Sequence, residues 1–209
     1  MTPRLITGPA DVAEGAAWLV QAEPRFAQVL HAVNPLPLRL KPPGFATLID
    51  IIISQQVSLA SAAAIRGRME EAGLMAQDAV LAASDAQLQA AGLSRPKVRY
   101  VRAVAEAGLS FDALAQLNDA ELEARLTAIT GIGPWTAQIY GMFAMGRADM
   151  FASGDLALQE AARVLFDLET RPDAKVLAGL AQAWSPWRSV AARALFAYYR
   201  IVKNREGLG

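Results

Sequence analysis

The chain has 209 residues, 54% of them hydrophobic and 19% charged, which suits one domain or one unit of two lobes with a sizeable core and excludes disorder as its main character. Lys plus Arg and Asp plus Glu each number 20, so no global basic field holds it to a polyanion, although a local basic face remains open. The absence of cysteine removes disulfides, thiolate nucleophiles, Cys-ligated zinc and iron–sulfur clusters, and fits a reducing compartment.

Helical spacing runs through most of the sequence. Phe26, Val29, Leu30 and Val33 follow Pro24 at i, i+3, i+4, i+7. Pro35, Pro37, Pro42, Pro43 and Gly44 form a connector that reads as a hinge inside one domain spanning residues 1–209. Phe45, Leu48, Ile49 and Ile52 restart the stripe. The run Ile51-Ile52-Ile53 has strand propensity, but no second β-branched run exists to pair with it, so helix is expected. Val57–Met69 is Ala-rich and helical. Ser84 reads as the cap of a short helix, Asp85–Ala91, ended by Gly92. Ser94–Ala107 follows, with Arg95, Arg99 and Arg102 on one face and Val98, Val101 and Ala105 on another. Asn118 caps a helix to about Ala128. Further helices are expected at Trp135–Met145, Asp155–Phe166, Pro172–Trp184 and Pro186–Lys203. The fold class is all-α, with roughly ten helices and no sheet. Residues 1–10 hold no signal-peptide apolar region, and no stretch of about 18 apolar residues lacks a charge, so a cytoplasmic protein without a membrane span is expected.

Three places carry chemistry. The turn Gly131-Ile132-Gly133 joins two helices, the second opened by Pro134. Amides at a helix start have no helical partner, and glycines let a phosphate approach the backbone, although Gly-x-Gly alone reads first as an ordinary helical corner. Asp155 heads a helix, where the dipole and amides favour its anion; by itself it is an ordinary N-cap. Segments 95–102 and 188–205 hold four and five basic residues and no acidic one, which ordinarily means a solvated surface. His31 is the only histidine and fits a surface or core role better than catalysis or metal binding.

The longer pattern Leu126-Thr-Ala-Ile-Thr-Gly-Ile-Gly-Pro-Trp-Thr-Ala137 resembles the helix-hairpin-helix of the endonuclease-III superfamily of DNA glycosylases. Trp184-Ser-Pro-Trp-Arg-Ser, Ile52-Ile-Ser-Gln-Gln-Val-Ser58 and Leu93-Ser-Arg-x-Lys-x-x-Tyr100 resemble segments of its AlkA-type 3-methyladenine branch, so the likeness spans about residues 34–203. The resemblance implies a two-lobed helical fold with the hairpin near 118–145 and without the extra β-rich N-terminal domain of some members. It implies DNA-binding amides at Gly131, Ile132, Gly133 and Thr136, and a monovalent cation, Na+ or K+, on the carbonyls of Thr127, Ile129 and Gly131. It makes Asp155 the catalytic carboxylate. Gly154 and Leu156 depart from the acidic and aromatic neighbours seen in relatives. Trp135 stands where strand-nicking members carry a Schiff-base Lys, which implies a monofunctional enzyme. Its indole would face an extruded base, with core packing as the alternative; Tyr140 and Phe196 are weaker candidates for the base pocket, and on composition alone each reads as core before pocket. Gln56 would enter the duplex where the base left, or simply end a helix, and Gln55 would brace the loop beside DNA. The implied activity is hydrolytic release of alkylated purines (3-methyladenine, 7-methylguanine) from double-stranded DNA in base excision repair, by a monomer in the cytoplasm and on the nucleoid, with no required cofactor. A different glycosylase specificity and a non-catalytic DNA-binding module remain alternatives.

Overall fold

The computed structural model describes residues 3–205. Among them it holds α1 (Pro9–Ala22), α2 (Phe26–Ala32), α3 (Phe45–Ile53), α4 (Leu59–Glu71), α5 (Gln77–Ala82), α6 (Asp85–Ala90), α7 (Arg95–Glu106), α8 (Phe111–Gln116), α9 (Asp119–Thr127), α10 (Pro134–Phe143), α11 (Leu156–Leu165), α12 (Ala174–Leu180) and α13 (Arg188–Arg205), with a 3-10 turn at Ala181–Trp184. Among the described residues, extended pairing is limited to an isolated bridge between Leu5 and Arg147. The all-α expectation holds, and the Ile51–Ile53 run lies in α3. The N-terminal segment is helical, as expected, in α1. Helices α5 and α8 fall where the apolar pattern marked none; each has only six residues, less than two turns, which leaves no periodicity to read.

Local chemistry sets most helix starts. Ser84 and Asn118 accept from the amides of Gln87 and Glu121, and each of those side chains returns a bond to the cap residue's N–H, so both helices open on a capping box. Two compact units result, one discontinuous in sequence. Unit 1 joins the segment ending at Leu40 to the segment beginning at Gly146, and unit 2 is Lys41–Met145. The first boundary falls in the Pro-rich connector.

In unit 1, α13 packs against α1, α2 and α11. Trp184 is 1% exposed and gathers Phe26, Phe151 and Phe166, with ring centroids 5.4, 5.5 and 5.7 Å away. Trp187 is equally buried, below Gly15 of α1; a Cβ on Gly15 would lie 2.7 Å from the indole, so this mid-helix glycine exists to admit it. In unit 2, α3 packs on α4, α7 and α10, and α9 on α10. Residues Leu48–Ile53 are all buried, Asp50 included; its carboxylate is neutralised by Lys41 at 2.7 Å and by Arg66.

Candidate functional site

Unit 2 carries the hairpin. Helix α9 ends at Thr127, and α10 starts at Pro134 with Gly133 as its N-cap. Leu126, Ile129 and Ile132 are buried and root the turn. The two glycines have different reasons. Gly131 has φ +92°, and a Cβ there would lie 2.2 Å from Cγ of Tyr100, so both backbone and packing demand glycine. Gly133 has φ −88°, which any residue adopts, it is exposed, and a Cβ would meet nothing within 4 Å. No contact among the described residues requires that glycine.

The amides divide as well. Ile132 N–H donates to Ile129 C=O at 3.0 Å, so it serves the turn and is corrected from a DNA donor to an internal one. Ala137 is the first amide of α10 bonded back, to Gly133 C=O at 3.1 Å; the amides ahead of it are the helix's N-terminal donors. Thr136 is 1% exposed, and its Oγ1 accepts from Gln55 Nε2 at 2.7 Å. Its side chain therefore holds Gln55 rather than DNA. Gln55 Nε2 also donates to Gly131 C=O at 3.2 Å, so both amide hydrogens of Gln55 are spent on the hairpin. The structure thus brings Gln55, Gly131 and Thr136 into one cluster, with Gln55 as a brace. The carbonyls of Ile129 and Gly131 each accept one internal bond, which leaves each oxygen a second lone pair for a cation.

Gln56 is exposed at φ +55°. A non-glycine residue in the left-handed region costs about 1–2 kcal/mol, and Val57 and Leu59 beside it are 39% and 82% exposed. Trp135 is half-buried in the first turn of α10. Tyr140 corrects an expectation. It is fully buried, tilted against Phe111, and its hydroxyl accepts from Gly44 N–H at 2.9 Å at the head of α3. Burial pushes its phenol up to about 12 from 10.0, against the opposing effect of the Gly44 bond. It is a core residue that ties α10 to α3, not a pocket wall.

Unit 1 carries Asp155. Its Oδ1 accepts from Ala157 N–H at 2.8 Å and Leu158 N–H at 3.2 Å, so it caps α11. The side chain is half-exposed. Asp155 N–H donates to Ala152 C=O at 2.9 Å, and Gln159 Nε2 holds Ser153 C=O at 3.0 Å, which fixes the approach to the helix. Upstream, Arg188 grips Asp149 with Nε–Oδ1 and Nη2–Oδ2 both at 2.8 Å, and Ser189 N–H donates to Ala148 C=O at 2.9 Å. These contacts give the Trp-Ser-Pro-Trp-Arg-Ser stretch its role. It seats two tryptophans in the core and clamps the irregular segment leading to Asp155. Phe196 is half-buried on α13, with the Arg39 guanidinium 5.6 Å over its ring.

The basic strips split. Arg95, Arg99, Arg200 and Lys203 are exposed. Arg102 instead bonds Asp85 and the carbonyls of Val80 and Ala83. Arg193 is 0% exposed and donates to Leu38 C=O and Ser189 C=O, each at 3.0 Å. Burial, and secondarily the charge of Arg39, pulls its guanidinium below the ordinary value. The side chain of Arg205 lies outside the described ones. His31 is exposed.

The model of the HhH-GPD superfamily base excision DNA repair protein matches residues 49–186. The chain belongs to that superfamily. A solved DNA-3-methyladenine glycosidase of Bacillus halodurans is 30% identical, superposes with a TM-score of 0.77, and aligns over 98% of this chain and 95% of its own. The Bacillus subtilis protein YfjP is 31% identical over 175 residues, 78% of this chain and 60% of its own, so the chain spans about three-fifths of that relative's length. The Schizosaccharomyces pombe 3-methyladenine DNA glycosylase Mag1, solved with abasic DNA, shares the fold at a TM-score of 0.78 and 24% identity, over 88% of this chain and 95% of its own. Among the described residues no helix is long and apolar enough to cross a membrane, and no group of three His, Cys, Asp or Glu could hold a metal.

Proposed function

We propose that the protein is a monofunctional DNA glycosylase of base excision repair that releases alkylated purines, 3-methyladenine and 7-methylguanine among them, from double-stranded DNA. The observation that carries this reading is Asp155, a half-exposed carboxylate held by two amides at the head of α11. The names carried by the Bacillus halodurans and fission-yeast proteins support the substrate class.

Each residue then has a task. The N-terminal amides of α10, reached over Gly133, take a backbone phosphate. Exposed Arg95 and Arg99 add salt-dependent attraction. Gln56 fills the space left when the damaged nucleotide swings out. The half-buried indole of Trp135 offers a π face that favours an electron-poor or cationic base. As the bond from C1′ to the base nitrogen breaks, its electron pair leaves with the purine and positive charge grows on the sugar. The Asp155 carboxylate stabilises that charge. Water then adds at C1′ and loses a proton to the carboxylate, leaving an abasic site. An alkylated purine is already a good leaving group and needs little general-acid help. With Trp135 in place of an amine, no Schiff base forms and the strand stays intact. A monovalent cation on the carbonyls of Thr127, Ile129 and Gly131 would neutralise phosphate charge at the hairpin.

The test is base release from duplexes carrying methylated purines, 8-oxoguanine or uracil, for the wild type and Asp155→Asn. Methyl-purine release by the wild type alone is expected. Binding without release by either protein would show a DNA-binding module, and equal release by both would remove Asp155 from the chemistry.

A further inference from the structure

The segment Leu93-Ser-Arg-x-Lys-x-x-Tyr100 enters the mechanism above only through the exposed Arg95 and Arg99, yet its Lys97 is buried in unit 2. The Lys97 ammonium donates to Ile53 C=O at 2.6 Å and to Gln55 C=O at 2.8 Å. Ile53 is the last residue of α3, where terminal carbonyls lack helical partners and the dipole is negative. Ile53 is fully buried, so the cation satisfies one carbonyl oxygen that water does not reach and a second, part-buried one beside it. Burial lowers the Lys97 pKa, as expected of a charge held by carbonyls with no carboxylate beside it.

Pinning carbonyls 53 and 55 to one nitrogen determines the chain's path between them. The next residue, Gln56, emerges exposed at φ +55°. Gln55 carries the constraint onward, with its side chain tied to Thr136 Oγ1 and Gly131 C=O. One turn of α7 beyond Lys97, the Tyr100 ring packs against Gly131 itself. Two residues of α7 therefore grip both the Gln56 turn and the hairpin.

We propose that Lys97 is a positioning residue that sets the Gln55–Gln56 turn in register with the Gly131–Gly133 hairpin, so that Gln56 enters the duplex at a fixed distance from the phosphate the hairpin holds. The proposal rests on the DNA-glycosylase reading for what the two elements touch. A left-handed glutamine supports it, since such strain persists where surrounding structure over-determines it.

The experiment is a double-mutant cycle on the full chain with Lys97→Met and Gln56→Ala. Two readouts are taken, single-turnover release of methylated purine and affinity for abasic-site duplex. Each single variant should lower the release rate about tenfold, the size of one hydrogen bond to a charged group. The concentration for half-maximal rate should change less than about twofold, because the phosphate anchor remains. The double variant should be no slower than the slower single, since Lys97 acts through Gln56. Additive losses, or wild-type rates in a folded Lys97→Met, overturn the proposal. If Lys97→Met fails to fold, Thr136→Val cuts the next link without removing a charge and should show the same non-additivity with Gln56→Ala. The chain has no native cysteine, so Lys97→Cys alkylated with 2-bromoethylamine while unfolded, then refolded, restores an ammonium at the same reach. Recovery of rate is expected, and no recovery counts against the proposal. If the wild type releases no base, the glycosylase reading fails, while the abasic-duplex cycle still decides the coupling.

Discussion

In the proposed function unit 2 contributes backbone, whereas unit 1 contributes one side chain. In unit 2 the exposed edge is the start of α10, opened by a glycine that packing does not require. It is bonded into a part-buried polar network in which Gln55 joins Gly131 and Thr136 and accepts from Lys97. In unit 1 the exposed group is the Asp155 carboxylate, at the head of a helix seated on α13 beside a core of four aromatic rings. The difference teaches how each can be broken. A site made of main chain is lost through backbone geometry, and a site made of one carboxylate is lost by isosteric replacement with the fold intact.

The sharpest break is Asp155→Asn. Asparagine caps a helix as well as aspartate, so α11 and the melting temperature should survive. Base release should fall by about 10²–10³ or more, the usual loss when a transition-state charge loses its stabiliser. Single-turnover release alongside circular dichroism checks both halves.

The two hairpin glycines should separate next. Gly131→Ala forces a Cβ onto the root of the Tyr100 ring at φ +92°, and about 2–4 kcal/mol of stability should be lost from overpacking and left-handed strain together. Gly133→Ala should cost less than about 0.5 kcal/mol, as at other surface positions, yet weaken binding to abasic duplex several-fold. Urea unfolding and fluorescence anisotropy distinguish them. Equal DNA binding by Gly133→Ala and wild type would detach the hairpin from the interface.

Alkaline unfolding isolates the core of unit 2. Tyr140 is raised from 10.0 to about 12 when folded, so the folded chain holds its proton more tightly than the unfolded chain does. Stability from this group is complete below pH 10 and is lost as pH rises from about 10 to about 12, by roughly 2–3 kcal/mol at the end of the window. Tyr140→Phe should flatten that slope in urea titrations taken between pH 9 and about 12, while costing about 1 kcal/mol at pH 7 for the lost Gly44 bond.

The smallest effect concerns Gln56. Gln56→Gly should raise stability by up to about 1 kcal/mol by relieving φ +55°, and should slow base release. A variant that is both more stable and equally active would leave the strained glutamine without a purpose.

Helix boundaries were legible wherever they rest on local chemistry. Ser84, Asn118 and Asp155 cap the helices whose starts they mark, and Pro134 opens α10. Asp155 was legible as a capped carboxylate for the same reason. Burial was harder to read. Arg193 and Arg200 share a helical face two turns apart, yet one is enclosed and the other exposed, because a helix's inner face depends on what packs against each turn. Thr136 and Tyr140 look like any polar or aromatic residue beside a conspicuous turn, and their interior positions follow from Gln55 and Gly44, far away in sequence. Lys97 did leave a trace. It lies at i, i+4, i+7 with Val101 and Val104, a cation on an apolar stripe.

The amino-acid order by itself determined an all-helical chain, the Gly-Ile-Gly corner and the capped aspartate, since caps, turns and periodicity act over a few residues. Tertiary structure decided which polar side chains face inward, that unit 1 is assembled from two segments distant in the chain, that Gln55 bonds the hairpin, and that Lys97 holds the carbonyls of Ile53 and Gln55. Those outcomes depend on pairings between residues tens of positions apart, where the free energy of a buried hydrogen bond exists only once both partners have lost water.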